Sequence, residues 1–372
     1  MTDPRYTLND TSEIITPAMI VFHEPLEENL NKMIATAGDP ARLRPHCKTH
    51  KTRQIVEMQI ALGILKHKAA TFAEVEMLAG AGAKDILLAY NIVGANIGRA
   101  VRFVKEYPDV LFSVTADHAG PINQLGAAMS AARVTIDVLL DVDTGQHRTG
   151  IAVGKEAMEL YRQIDATEGL VPGGFHVYDG HQHQKSLDDR RTAIHAEWER
   201  VIAFRDTLVV EGLPVPRIVA GGTGSFPVYA EMDDPTIELS PGTCIYHDGN
   251  YSDAFPDLDY TPAAGLLTRV VSRPTATRVT FDLGYKAVAS DPPPATRATF
   301  PTIPDAKLVL QNEEHLVIET EHANEFAPGD EVLALPWHVC PTSAMHKEVL
   351  VAQAGKIVDR WPVAARDRQL EI

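Results

Sequence analysis

Residues 65–115, LKHKAATFAEVEMLAGAGAKDILLAYNIVGANIGRAVRFVKEYPDVLFSVT, decide the architecture. Three short β-rich runs, Leu65–Ala70, Ile86–Tyr90 and Leu111–Thr115, alternate with the helix-like stretches Phe72–Gly82 and Val93–Glu106. Strand, helix and strand at this spacing predict parallel βαβ units. The pattern extends in both directions. Ala18–Phe22 and Leu43–Cys47 are strand candidates before it, and Ile136–Val142, Gly174–Tyr178, Ile218–Gly221 and Ile237–Ser240 follow it. Gly120–Ala132, Gly154–Thr167 and the highly charged Leu187–Glu211 read as helices between them. So many units over this length fit a closed barrel better than an open doubly wound sheet, although periodicity alone does not show closure. After Tyr260 the texture changes to short runs cut by Pro, Gly and Asp: Leu266–Ser272, Arg278–Leu283, Lys307–Leu310, Leu316–Glu319, Glu331–Leu335 and Glu348–Ala352. This is the pattern of an antiparallel β domain. The expected fold is therefore α/β, a (β/α)8 TIM barrel over residues 17–255 with a C-terminal antiparallel β domain over 256–372 that also takes residues 1–16.

Composition narrows the function. With 45% hydrophobic and 23% charged residues the chain can bury a large core. The net charge of −16 argues against nucleic acid or an anionic membrane as partner, since both need concentrated positive charge. Cys47, Cys244 and Cys340 are too few and too scattered for a disulfide framework. The polar start MTDPRYTLNDTSE has no apolar signal core, and no run of about 18 apolar residues suggests a membrane span. A cytoplasmic enzyme acting on a small molecule is the expectation.

Three segments carry chemistry. In Arg44-Pro-His-Cys-Lys48-Thr-His50-Lys51, strand alternation would place Arg44, His46, Lys48 and His50 on one face. Four basic groups inside a barrel call for an anionic occupant, and a phosphorylated cofactor bonded to Lys48 meets that need. Neighbouring positive charge would also favour the neutral amine that attacks an aldehyde. The segment Val219-Ala-Gly221-Gly222-Thr223-Gly224-Ser225 follows a late strand, where barrels often seat phosphate on backbone N–H groups. The Gly242-Thr243 turn could complete that cup. In Pro336-Trp-His338-Val-Cys340-Pro, an i, i+2 pair on a strand would turn imidazole and thiol to one side. That donor set favours zinc, with manganese or magnesium as alternatives. His181 and His183 form a second H-x-H candidate, read as loop residues near the barrel mouth.

Arg44-Pro-His-Cys-Lys48-Thr-His-Lys, Asp143-Thr-Gly-Gln-His-Arg148-Thr-Gly, Gly221-Gly-Thr-Gly224 and His338-Val-Cys340-Pro-Thr together resemble the D-threonine aldolase/D-serine dehydratase family. The resemblance runs from about Thr16 to about Pro362. It implies an alanine-racemase-like, fold-type III pyridoxal phosphate enzyme, usually a homodimer. Lys48 then falls on the Schiff-base lysine, with His46 beside the cofactor. Arg148 and Tyr178 fall on cofactor-contacting positions, Gly222, Thr223, Gly224 and Gly242 on the phosphate site, and His338 and Cys340 on the metal pair. Aldolase-like members tend to read H-x-D-P-T where this chain has His338-Val-Cys340-Pro-Thr, the form of dehydratase-like members. The expected reaction is elimination from a β-hydroxy-D-amino acid such as D-serine or D-threo-3-hydroxyaspartate, giving keto acid and ammonia. Retro-aldol cleavage to glycine and an aldehyde is the alternative. Racemisation is a further alternative, and it would need no metal.

Overall fold

The computed structural model describes residues 4–368 and 371–372. The chain divides into two compact units: Ile34–Lys48 with Arg53–Gly242 and Asp367–Ile372, and Met1–Met33 with Thr49–Thr52 and Thr243–Arg366. Strands are numbered along the chain. β1 (Ala18–Phe22), expected as the first barrel strand, lies in the sheet of the second unit. Its sequence AMIVF is apolar throughout, so it specifies a buried strand but not which sheet buries it.

The first unit is a parallel sheet in the order β2 (Lys66–Ala69), β3 (Asp85–Asn91), β4 (Leu111–Ala116), β5 (Ile136–Val142), β6 (Leu170–Val177), β7 (Ile218–Ala220) and β8 (Ile237–Leu239). The helices Phe72–Gly80, Ala95–Glu106, Ala119–Ala132, Lys155–Ala166 and Leu187–Val210 connect the strands where the periodicity placed them. Residues 43–46 bridge the two edge strands. Leu43 pairs with Leu239 of β8, and His46 pairs with Lys68 of β2. The N–H groups of Arg44 and His46 donate to the carbonyls of Leu239 (2.7 Å) and Pro241 (2.8 Å), while Lys68 N–H donates to Pro45 (2.9 Å). The segment thus closes the ring without forming a regular strand. Pro45 has no N–H to offer, and the chain turns into a 3₁₀ helix at Cys47–Thr49.

Strand register orders the ring's interior. At the N-terminal ends of the strands sit ion pairs. Arg44 is fully buried and donates to Glu238 (2.5 Å) and Asp85 (2.8 Å); Lys66 donates to Glu238 (2.9 Å) and Arg217 to Asp137 (2.6 Å). Two residues further along come Leu87, Leu139 and Val219, an apolar cluster. Lys68, Ala89, Asp141 and His176 lie toward the C-terminal ends, where barrel sites are built.

The second unit is a mostly antiparallel sheet. Its strands are β9 (Ala264–Ser272), β10 (Arg278–Phe281), β11 (Ala298–Thr299), β12 (Lys307–Gln311), β13 (Leu316–Glu319), β14 (Glu331–Pro336), β15 (Glu348–Gln353) and β16 (Lys356–Pro362). The order is β12-β13-β10-β9-β1-β15-β16, and β14 pairs with β9 and β11. Only β1 and β15 run parallel among these pairs. Ile20, Phe22, Leu267, Leu350 and Ala352 form a core on one face.

Candidate active site

A cavity of about 430 Å³ opens at the C-terminal ends of the barrel strands. It is lined by His46, Lys48, Lys68, Tyr90, Asn91, Asp141, Arg148, Thr149, His176 and Tyr178, among others. Each side chain arrives by a local device. The 3₁₀ turn after His46 directs Lys48, whose backbone N–H donates to His46 Nδ1 at 3.3 Å. β6 delivers His176 and, just past its end, Tyr178. The loop after β5 brings Arg148, braced by Gly150 N–H donating to Asp117 (2.8 Å). Three cations surround one aromatic ring: Lys48 Nζ, Lys68 Nζ and Arg148 Cζ lie 5.7, 5.9 and 4.9 Å from the Tyr178 ring centroid.

The expected basic face is shorter than the alternation implied. Arg44 is neutralised by its two carboxylates at the opposite strand ends, so it serves the ring closure rather than the cavity. The turn at Cys47 ends the alternation. His50 belongs to the second unit, buried with its ring against Tyr246 and accepting from Thr52 N–H at 3.1 Å. Burial pushes its imidazole down to about 3, so it contributes no charge. Lys68, not singled out in the sequence, supplies the buried cation. It is 2% exposed, and burial together with the Lys48 ammonium pushes it down to about 7.

His176 and Asp141 form a buried pair, Nδ1 to Oδ1 2.8 Å. Burial would raise Asp141, but the His176 hydrogen bond holds it below its usual range. Burial lowers His176 and outweighs the carboxylate, favouring the neutral ring. The glycine loop packs beside Tyr178. Gly221 has φ +71°, and a Cβ there would stand 2.6 Å from Ser225 Oγ; one on Gly222 would stand 3.0 Å from the Tyr178 ring. Side chains are thereby kept out of the loop and its N–H groups stay approachable. Gly222 N–H donates to Ser225 Oγ (3.1 Å), and Gly242 N–H donates to Thr223 Oγ1 (3.0 Å), tying the two turns together. Asp179 is buried behind them, accepts from Ser225 Oγ (2.8 Å), and is pushed up by burial to about 6.

His338 and Cys340 lie in the second unit, and not on a strand. His338 caps the helix Val339–Met345 and Cys340 sits in its first turn. The two are still close enough for the Cys340 side chain to act on the imidazole. Asp291 accepts from His338 Nδ1 at 2.5 Å, a partner invisible in the sequence at 47 residues' distance. Although burial lowers His338, Cys340 and Asp291 push it up to about 9. Thr49 Oγ1 lies 3.2 Å and Thr243 Oγ1 3.7 Å from Cys340 Sγ. The H-x-H candidate resolves differently. His181 bonds Glu197 (2.9 Å) and does not line the cavity, nor does His183. His46, Cys47 and Glu74 also bring metal-type donors within 4.8 Å of one another. Glu74, however, serves its helix start: its carboxylate accepts from Ala70 N–H (2.6 Å) and its own N–H donates to the Thr71 cap.

Pyridoxal phosphate fits the cavity on these grounds: an amine and two further cations about one aromatic ring, beside a glycine loop that side chains cannot fill. An imidazole and a thiol, the imidazole steadied by a carboxylate, likewise form a donor set suited to a divalent metal.

The fold is of the alanine-racemase-like class. The alanine racemase N-terminal domain family matches residues 23–249, and the putative serine dehydratase domain family matches residues 263–352. A D-threonine aldolase of Arthrobacter sp. is 30% identical over 95% of this chain and 93% of its own. A 3-hydroxy-D-aspartate aldolase of Paracoccus denitrificans is 29% identical (96% and 94%), and a D-threo-3-hydroxyaspartate dehydratase of Delftia sp. 24% (93% and 96%). The crystal structure of D-threonine aldolase from Filomicrobium marinum superposes with a TM-score of 0.86 at 27% identity, covering 95% and 96%. A cysteine-to-alanine variant of D-threo-3-hydroxyaspartate dehydratase, described as metal-free, gives 0.84 at 20% identity, covering 94% and 97%. The chain belongs to the D-threonine aldolase/D-serine dehydratase-like family of pyridoxal phosphate-dependent lyases. No helix among the described residues is long and apolar enough to cross a membrane.

Proposed function

We propose that the chain is a homodimeric cytoplasmic dehydratase, dependent on pyridoxal phosphate and a divalent metal, which converts β-hydroxy-D-amino acids of the D-serine or D-threo-3-hydroxyaspartate type to keto acid and ammonia. The observation that carries this choice is Cys340 beside His338, a thiol where aldolase-like members tend to place a carboxylate. Zinc suits the imidazole–thiolate pair best, with manganese or magnesium as alternatives.

Lys48 carries the cofactor aldehyde. Tyr178 and Arg148 hold the ring, and His46 fixes the turn that aims Lys48. The turns at Gly222, Thr223, Gly224 and Gly242 would receive the phosphate, the N–H groups of Gly222 and Gly242 exchanging Ser225 Oγ and Thr223 Oγ1 for it. When bound, pyridoxal phosphate would supply an electron sink for charge developing at Cα, and a divalent metal at His338 and Cys340 would supply Lewis-acid chemistry. Lys48 Nζ would be the base that takes the Cα proton. Hydroxide then leaves Cβ, and hydrolysis of the resulting enamine gives keto acid and ammonia.

The higher identity to two aldolases favours a second reading, in which the proton is taken from the β-hydroxyl and the Cα–Cβ bond breaks. Incubating the purified protein with pyridoxal phosphate, zinc or manganese, and D-serine, D-threonine or D-threo-3-hydroxyaspartate separates the two. Keto acid with ammonia is expected. Glycine with aldehyde would replace it by the aldolase reading, and neither product would sink both.

A further inference from the structure

Lys68 is the one cation of the cavity that the proposed chemistry leaves unused. It sits on β2, 2% exposed, with no hydrogen-bond or ion-pair partner for its ammonium among the described residues. The charged and titratable groups that face it come from several elements: Lys48 and Arg44 on the closing segment, Asp141 on β5, His176 on β6, and Tyr178, Asp179 and Arg148 on the loops. Neither nearby carboxylate serves as its partner. Asp141 bonds His176, and Asp179 accepts from Ser225. An unpaired ammonium in such a place is costly unless an occupant brings the missing charge.

The geometry limits where that charge lies. Lys48 Nζ and Lys68 Nζ stand 5.7 and 5.9 Å from the same Tyr178 ring centroid. Lys48 is also the charge that acts most strongly on Lys68, so one anion near the carbon that Lys48 bonds is within reach of both amines. Two oxygens meet the condition. In pyridoxal the ring hydroxyl occupies the carbon next to the one bearing the aldehyde, on the flank opposite the phosphate arm. In an amino acid the carboxylate is one bond from the carbon bearing the amine.

We propose that Lys68 is the counter-ion of an anionic oxygen on the cavity's occupant, either the cofactor's ring oxygen or the substrate's α-carboxylate, and so a binding residue of this site. The inference rests on the cofactor reading above. It also explains why the pocket keeps Lys68 bare: the pairing partner arrives with the ligand. Its lowering to about 7 by burial and by Lys48 fits a cavity without that anion, and an adjacent oxyanion would restore the ammonium.

The test compares native protein with K68M, K68Q and K68R. Apo protein is titrated with pyridoxal phosphate, the visible band of the bound cofactor is followed against pH, and KM and kcat are measured for the D-amino acid that reacts. If the anion is the ring oxygen, K68M and K68Q lose roughly tenfold or more in cofactor affinity, the band's pH midpoint moves up by about one unit, and K68R keeps most of both. If it is the substrate carboxylate, affinity and band stay native while KM rises about tenfold with kcat little changed. Denaturation midpoints near native exclude a folding defect, and K68Q serves if K68M misfolds. Native affinity, midpoint and KM in folded K68M or K68Q would overturn the proposal. Native protein that takes up no pyridoxal phosphate on Lys48, judged by borohydride trapping and peptide mapping, would overturn the cofactor reading with it.

Discussion

In the proposed reaction Lys48 holds the cofactor, and K48A is expected to lose both the visible band and at least roughly a thousandfold in rate, read by absorbance and product assay. In the proposed metal site Asp291 would act on the metal through His338. Removing its charge by D291N should weaken zinc binding about 10–100-fold while leaving the thermal midpoint near native, measurable with a competing chelator. Asp179 gives a pH signature of the fold. Its folded value is raised, to about 6 from the usual carboxylate range, so the unionised acid is the form the structure tolerates. Its stabilising share is full below the unfolded value and is lost as pH rises through about 6. D179N keeps the acceptor for Ser225 without the charge. Its stability relative to native should therefore be small at pH 4.5 and grow by pH 7 in urea titrations. At this scale the sequence was uneven. Lys48 declared itself through its basic neighbours, whereas Arg148 and Tyr178 emerged only by resemblance. Lys68 hid because a Lys-x-Lys strand start usually faces solvent. Asp291 became a neighbour of His338 only through tertiary folding.

Among elements, the barrel strands were legible because runs such as Ile86–Tyr90 are apolar on both faces, as parallel strands buried on both sides must be. The closing segment was not, since Pro45 and the turn at Cys47 end an alternation that the residue types alone seemed to continue. His338-Val-Cys340 misled similarly: the i, i+2 argument assumed a strand, and the pair meets at a helix start instead. β6 shows how backbone detail places the site. Gly174 has φ +91°, and a Cβ there would stand 1.9 Å from the Arg217 carbonyl oxygen, so only glycine allows β7 to approach. Past that point the strand carries His176 and leads into Tyr178. G174A should cost about 3 kcal/mol or more in denaturation experiments and loosen retention of pyridoxal phosphate, because the residues beyond it shift with the strand.

Across the whole molecule, the proposed cofactor and metal sites can be tested separately. Chelation should abolish turnover while the visible cofactor band persists, and zinc or manganese should restore it; full activity after chelation would favour a racemase. The two-part architecture was readable from the change of texture after Tyr260, but AMIVF was assigned to the barrel because nothing local names its partner sheet. The ring closure has a consequence for biosynthesis. Arg44 must find Glu238, 194 residues later in the chain, before the segment leading to Lys48 is fixed. A ribosome therefore has to release nearly the whole barrel before its own second segment can be seated, and until then a fully buried arginine and two carboxylates await one another in water. Long-range closure of this kind is a late and slow event in folding. On the proposed reading the cofactor can be gripped only after that clasp is shut, so its uptake would serve the cell as a receipt for a completed barrel.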